Sequence, residues 1–330
     1  MKIGGHILRK VITIKLDTHR IETYSINDNE KIIVEKDDLV FESPILAGYG
    51  IIGLNRLDVY SKSSNSKVGG HFAHYMKCNG YDYLIFKGIS KYPIYIYINK
   101  EAICIKDARN IYRENFNTSK SMIEKDLKTD NLEMAQIGVA AVNEVEFSKI
   151  IFESNKSCGG NGLGQLMGLK KIKAIALEKH NKLNAKDEKT LIELNNLMIN
   201  RLGDTNLNTY YDENNKCYGC IMNCKNTLMN KIMKQGFTLE EAKSIENICN
   251  EYGMDCIAFL KILIRYDDLA DLTKKVVFEN EGNKINIKNK EIKIHNPRDK
   301  FEELGFCRIL IEQKMINDNE LDTLKNCILG

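Results

Sequence analysis

Three cysteines crowd one short stretch of the chain, Cys217-Tyr218-Gly219-Cys220-Ile221-Met222-Asn223-Cys224. That spacing gathers three thiolates on a single loop, and Gly219 lets the backbone wrap closely around whatever they hold. A loop of this kind caps one corner of a tetrahedral zinc ion or of a cubane iron–sulfur cluster. Either centre needs a fourth ligand. Cys307, in Leu304-Gly305-Phe306-Cys307-Arg308 at the start of an apolar helical pattern, is the expected one. Cys249, Cys256 and Cys327 are the alternatives; otherwise they are small buried hydrophobes, as are Cys78, Cys104 and Cys158. Without a metal the triplet would be a loop of exposed reactive thiols, so it reads as a metal site.

A second candidate is the run Ser157-Cys158-Gly159-Gly160-Asn161-Gly162-Leu163-Gly164, which leads directly into the helical pattern Leu163 to Lys171. Glycines this dense at a helix start expose backbone N–H groups to an anion, and phosphate is the natural ligand. The spacing matches neither the dinucleotide fingerprint nor a P-loop. A tight turn that lets the helix pack on a sheet is the competing explanation. Gly69-Gly70 opens another helix, carrying His71, Phe72 and Tyr75, with Arg56, Lys62 and Lys67 upstream. Two glycine-opened helices in one β-rich region are expected to hold two phosphate-bearing groups. His71 and His74 read as surface or hydrogen-bonded core residues rather than metal ligands, and His295 as a surface residue.

The elements that must position these residues fall into two textures. Up to about Leu177 the chain predicts strands at Val11 to Ile14, Lys31 to Val34, Tyr83 to Phe86, Ile94 to Ile98 and Ile175 to Leu177, from β-branching and alternation. Helical patterns in this half are limited to His71 to Cys78, Ser119 to Lys128 and Leu163 to Lys171. From Lys186 onward, three- and four-residue spacing predicts helices at Thr190 to Arg201, Leu239 to Glu251 and Cys256 to Leu272, with a hairpin or exposed loop at Asn280 to Asn289. A boundary near Lys179 to Ala185 divides the chain into domains at 1–182 and 183–330.

Composition narrows the function classes. The chain has 330 residues, 43% of them hydrophobic, enough for one large or two ordinary cores. Lys plus Arg number 48 against 45 Asp plus Glu, too even a balance for a dedicated nucleic-acid binder. No apolar run is long enough to cross a bilayer and the N-terminus has no signal-type apolar segment, so the expected setting is cytoplasmic, with the ten cysteines reduced or ligating metal.

Taken in order, these segments resemble the aldehyde ferredoxin oxidoreductase family of tungsten enzymes. The likeness runs through Gly5-His6-Ile7-Leu8-Arg9, Ser43-Pro44 with Gly48, Arg56, Val59, Lys62 and Ser63, and Gly69-Gly70-His71-Phe72. It continues through Gly80-Tyr81-Asp82, Lys87-Gly88, Pro93-Ile94-Tyr95-Ile96, Gly162 to Lys170, Lys173 to Ala176 and the cysteine loop, and resumes at Asn247 to Asp255 and Leu304 to Cys307.

The resemblance implies an α+β protein, with a saddle-like β-rich N-terminal domain that binds pterin and a reduced helical domain that carries the iron–sulfur loop and covers the cofactor. It implies tungsten, or molybdenum, held between two pyranopterins, Mg2+ bridging the pterin phosphates, and a [4Fe-4S] cluster on Cys217, Cys220, Cys224 and Cys307. The residues implied to hold the pterins are Arg56, Lys67, Gly69, Gly70, Cys158, Gly159, Gly160, Gly162, Asn250, Gly253, Asp255, Glu302 and Gly305. The family's Asp-x-x-Gly-Leu-Asp and Asp-x-x-Gly-Leu-Cys segments read here Asn250-Glu251-Tyr252-Gly253-Met254-Asp255 and Glu302-Glu303-Leu304-Gly305-Phe306-Cys307. Lys67 stands where the family has an Asn, and Gly160 where it has an Arg. The implied activity is oxidation of a small aldehyde to its acid, with electrons passing through the cluster to ferredoxin or another electron-transfer protein. The chain is about half the family's usual length, and the shortened stretch between Asp255 and Glu302 implies a partner subunit over the pocket. A non-catalytic paralogue acting as a cofactor-binding or electron-transfer subunit is the alternative.

Overall fold

The computed structural model describes residues 2–3, 6–153, 156–159, 161–202, 216–221, 226–263, 268–279 and 300–329. Gly160, Cys224, His295 and the expected hairpin at Asn280 to Asn289 lie outside the described residues. The first sheet holds β1 (Lys2–Ile3), β2 (His6–Lys15), β3 (Arg20–Asn27), β4 (Leu39–Glu42), β5 (Leu57–Tyr60), β6 (Asn65–Val68) and β7 (Tyr83–Lys87). Its order is β1-β2-β7-β4-β5-β6, with β3 also on β2. The second holds β8 (Ile94–Ile98), β9 (Ile103–Asp107), β10 (Leu132–Ile137), β11 (Ile150–Phe152), β12 (Ser157–Cys158) and β13 (Ile172–Glu178), in the order β12-β11-β10-β13-β8-β9. Each is mixed: β2 with β7 and β13 with β8 are parallel, and the other pairs antiparallel.

The helices are α1 (Phe72–Cys78), α2 (Phe116–Leu127), α3 (Val139–Val142), α4 (Leu163–Leu169), α5 (Glu188–Leu202), α6 (Asn226–Met233), α7 (Leu239–Tyr252), α8 (Cys256–Leu263), α9 (Leu269–Val277), α10 (Lys300–Glu303), α11 (Arg308–Glu312) and α12 (Asp318–Leu329). Both sheets share one core: Ile12, Ile14 and Phe41 of the first meet Ile96, Ala135 and Phe152 of the second across Phe72 of α1 and Leu163 and Met167 of α4. The two glycine-opened helices are thereby wedged between the sheets. The helices from α6 to α9 form a second core with Val139, Val145 and Phe147, and α5, α11 and α12 pack on Leu46, Ile51, Ile52 and Leu54.

Two expectations on elements are corrected. Lys31 to Val34 is not a strand. Ile32 and Val34 rest on the outer face of the first sheet while Ile33 is 84% exposed, so the alternation places side chains but no neighbouring strand takes up the backbone hydrogen bonds. The pattern Cys256 to Leu272 is two helices, because Asp268 takes an extended conformation and its carboxylate accepts from Ala270 N and Asp271 N, restarting the helix at Leu269.

Candidate cofactor cradle

The segment 44–56, in the link between β4 and β5, is where the cysteine segments meet. Asn55 Nδ2 donates to Tyr218 O at 3.0 Å, and a Cβ on Gly219 would stand 3.1 Å from Gly50 O. Further along, Cys307 N donates to Gly53 O at 2.7 Å and Arg56 N to Gly305 O at 3.3 Å. Gly305 needs both its positive φ of 87° and its missing side chain, since a Cβ would lie 2.4 Å from Pro44. Cys217, Cys220 and Cys307 are therefore all hung on one stretch of backbone. Among the described residues no three metal-ligating side chains form a finished ligand set, Cys224 lying outside them.

The Gly69-Gly70 turn fits closely beneath the same loop. Gly70 N donates to Cys217 Sγ at 3.2 Å, Tyr218 N donates to Gly70 O at 3.2 Å, and a Cβ on Gly69 would be 2.6 Å from that sulfur. A backbone N–H aimed at a cysteine sulfur is what a metal-bound thiolate takes as outer-shell support, so the residues present fit a metal-bound cysteine at position 217. His74 stacks on Tyr218 with ring centroids 3.4 Å apart. Burial pushes His74 down to about 3, with His71 adding, and burial also lowers His71, so both rings are neutral at pH 7.

The two glycine segments are clamped together. Ser64 Oγ donates to Asn161 O at 2.5 Å and Asn161 Nδ2 to Asn65 O at 2.7 Å, tying the glycine loop to the β5–β6 hairpin that ends at Gly69. Gly162 opens α4 at φ 74°, and a Cβ there would meet nothing closer than Gln165 Oε1 at 4.0 Å, leaving space above the loop. Gly164 and Gly168 have a packing purpose instead: their Cβ atoms would collide with the Ser148–Lys149 backbone at 2.6 Å and with Ala141 O at 2.2 Å. Cys158 is fully buried in the shared core, its thiol pushed up by burial. Arg56 Nη2 donates to Lys67 O at 2.9 Å, and Lys67 Nζ lies 3.3 Å from Asp58 Oδ2.

The α7–α8 turn closes another side. Asp255 Oδ1 accepts from Ala258 N at 2.9 Å, and its Oδ2 would lie 2.9 Å from a Cβ on Gly159. Gly253 and Gly138 pack backbone on backbone, a Cβ on Gly138 coming within 2.3 Å of Tyr252. Glu302 is buried on α10.

Three residues were not singled out from the sequence. Asn55 and Lys149 act through backbone and amide contacts that no spacing announces. Glu133 points from β10 into the core with neither carboxyl oxygen hydrogen-bonded, its Oε2 3.8 Å from His71 Nδ1; burial first, then Glu153, push it up to about 8. A lone Glu inside the apolar run Leu132 to Ile137 was the available signal.

These features define a two-sheet α+β protein whose glycine turns and cysteine segments border one candidate cofactor cradle. The model of the aldehyde ferredoxin oxidoreductase N-terminal domain matches residues 12–179, and the chain belongs to that family. The tungsten-containing aldehyde ferredoxin oxidoreductase of Pyrococcus furiosus is 32% identical over 154 residues, 46% of this chain and 25% of the relative. That of Pyrococcus horikoshii is 29% identical over 200 residues, 60% of this chain and 32% of the relative. The chain thus spans about a quarter to a third of the relatives it matches. The active-site complex of benzoyl-coenzyme A reductase with 1,5-dienoyl-CoA superposes with a TM-score of 0.64 over 96% of this chain and 61% of that one, at 20% identity, a likeness of fold. No helix among the described residues is long and apolar enough to cross a membrane.

Proposed function

We propose that the chain is a pterin and iron–sulfur oxidoreductase that oxidises a small aldehyde to its carboxylic acid and hands the electrons to ferredoxin or a similar carrier. The observation that carries this is the Gly70 N–H and the close Gly69 contact on Cys217 Sγ, next to a second glycine loop clamped to the same hairpin. Family membership supports tungsten, with molybdenum the other choice, and the pterin-bound metal would supply the two-electron redox chemistry. On this reading residues 1–182 hold the pterin. Residues 183–330 supply Cys217, Cys220, Cys224 and Cys307 to a [4Fe-4S] cluster and cover the cofactor. The Gly69-Gly70 turn and the glycine loop from Gly159 to Gly162 hold phosphate, while Asn250, Gly253, Asp255, Glu302 and Gly305 hold the heterocycles. Arg56 adds positive charge and pins Lys67 through its carbonyl, which would help hold Mg2+, an ion that would offset the phosphate charge. The protein's part is to orient the cofactor and exclude water, and the expected setting is the cytoplasm.

A second reading is a cofactor-binding or electron-transfer subunit that works with a partner. It is supported by a similar relative from Pyrococcus furiosus, the aliphatic sulfonate oxidoreductase WOR-like subunit, 28% identical over 138 residues. Anaerobic purification from tungstate-supplemented cells, followed by analysis for W, Mo, Fe, Zn and sulfide, tests the cofactor assignment. Iron and sulfide lost in Cys307→Ser support the cluster; iron retained there but lost in Cys249→Ser or Cys256→Ser reassigns the fourth ligand, and zinc alone refutes it. Aldehyde-dependent dye reduction separates the two readings: turnover by the isolated chain supports the enzyme, and full cofactor content without turnover supports the subunit.

A further inference from the structure

The floor of the α7–α8 turn holds a lysine that meets no carboxylate among the described residues. Lys149 is 3% exposed, and its Nζ donates to Asn250 Oδ1 at 2.7 Å. Its placement is rigid: Lys149 N donates to Gly253 O and Asp255 N to Phe147 O, each at 2.8 Å, around a bridge between Ser148 and Met254. An ammonium can only donate, so it settles which end of the Asn250 amide faces inward. The oxygen turns toward Lys149 and the NH2 turns to the half-buried side, where it meets no acceptor among the described residues. Five positions on, Asp255 has one oxygen committed to capping α8 and the other beside Gly159. A carboxylate can only accept. The segment therefore offers a donor at one end and an acceptor at the other, with the Gly253 backbone between them.

We propose that Lys149 is a positioning residue that fixes the Asn250 amide so that the Asn250–Asp255 segment selects a lactam heterocycle, one that shows a ring carbonyl beside a ring N–H. This rests on the reading of the segment as part of a pterin cradle and names the edge it recognises. With a carboxylate at position 250, both ends would accept, and the preferred edge would carry adjacent N–H groups. A lysine that merely filled space would leave the choice of edge untouched.

The test is fluorescence titration of the full chain, isolated free of bound pterin, with two probes. Lumazine carries the carbonyl-flanked N–H edge, and 2,4-diaminopteridine presents adjacent donors to a carboxylate when protonated. The wild type is expected to bind lumazine at least as tightly as the diamino compound. Asn250→Asp should shift the ratio of affinities at least about tenfold toward diaminopteridine, the scale of one buried hydrogen-bond mismatch. Lys149→Met should shift it the same way by less, because the amide is then free to turn. Asn250→Asp keeps size and gives Lys149 an ion-pair partner, so it serves if Lys149→Met does not fold. A ratio unmoved by Asn250→Asp, or a wild type that already favours the diamino probe tenfold, overturns the inference and leaves the cradle standing. Binding of neither probe by the folded wild type overturns both.

Discussion

Alanine at position 69 would place a methyl carbon 2.6 Å from Cys217 Sγ. Ordinary contact between such atoms is about 3.5–4.0 Å, so the sulfur or the glycine backbone must give way by roughly 1 Å. Neither has an easy retreat. Gly70 N is bonded to the same sulfur at 3.2 Å, Tyr218 O is held by Asn55 at 3.0 Å, and Gly219 lies against Gly50. Metal sites tolerate ligand displacements of only about 0.2 Å, and loss of outer-shell support alone weakens metal binding by about 10–100-fold. Gly69→Ala should therefore purify anaerobically with much less iron and sulfide than the wild type, while far-UV circular dichroism stays the same because the sheets are untouched. Wild-type iron in the folded variant would refute the inference that this turn supports a metal-bound Cys217.

Glu133→Gln should remove a pH-dependent penalty. A carboxyl raised by burial from 4.5 to about 8 costs nothing below pH 4.5, a cost that grows as pH rises and levels off above 8; at pH 7 it is about 3 kcal/mol. The denaturation midpoints of wild type and variant should converge near pH 5 and separate toward pH 8, and parallel curves would contradict the assignment. Gly138→Ala forces a carbon within 2.3 Å of Tyr252 backbone and should destabilise by about 1–3 kcal/mol, read in urea melts, with loss of any bound pterin because the α7–α8 turn is pushed off the sheet. Asn55→Leu leaves Tyr218 O without its donor and should lower iron content more than it lowers the melting temperature; equal iron in the variant would show that this bond does not hold the loop.

Periodicity made most elements legible. The runs at Val11, Tyr83, Ile94 and Ile175 lie in strands because β-branched residues covered on both faces leave a continuous apolar signal. Lys31 to Val34 carries the same residue types and fails, since a strand needs a partner and partners are chosen by distant segments. Strands such as Asn65–Val68 were invisible for the converse reason: polar residues there are held by pairing with Leu57–Tyr60, not by propensity.

The cysteine triplet and both glycine turns were legible in the chain itself, because clustered thiols and clustered glycines are local features of the sequence. Only the folded structure decided which glycines face open space and which admit a neighbour's backbone, since Gly162 and Gly164 are the same residue two positions apart with opposite surroundings. It also decided that segment 44–56 would carry Tyr218, Gly219 and Cys307 together, and that Lys149 would lie under Asn250. Those meetings join residues far apart in the chain through backbone groups that every residue possesses or through a single polar side chain. No local pattern encodes them; they follow from where two sheets and their helices leave room for one another.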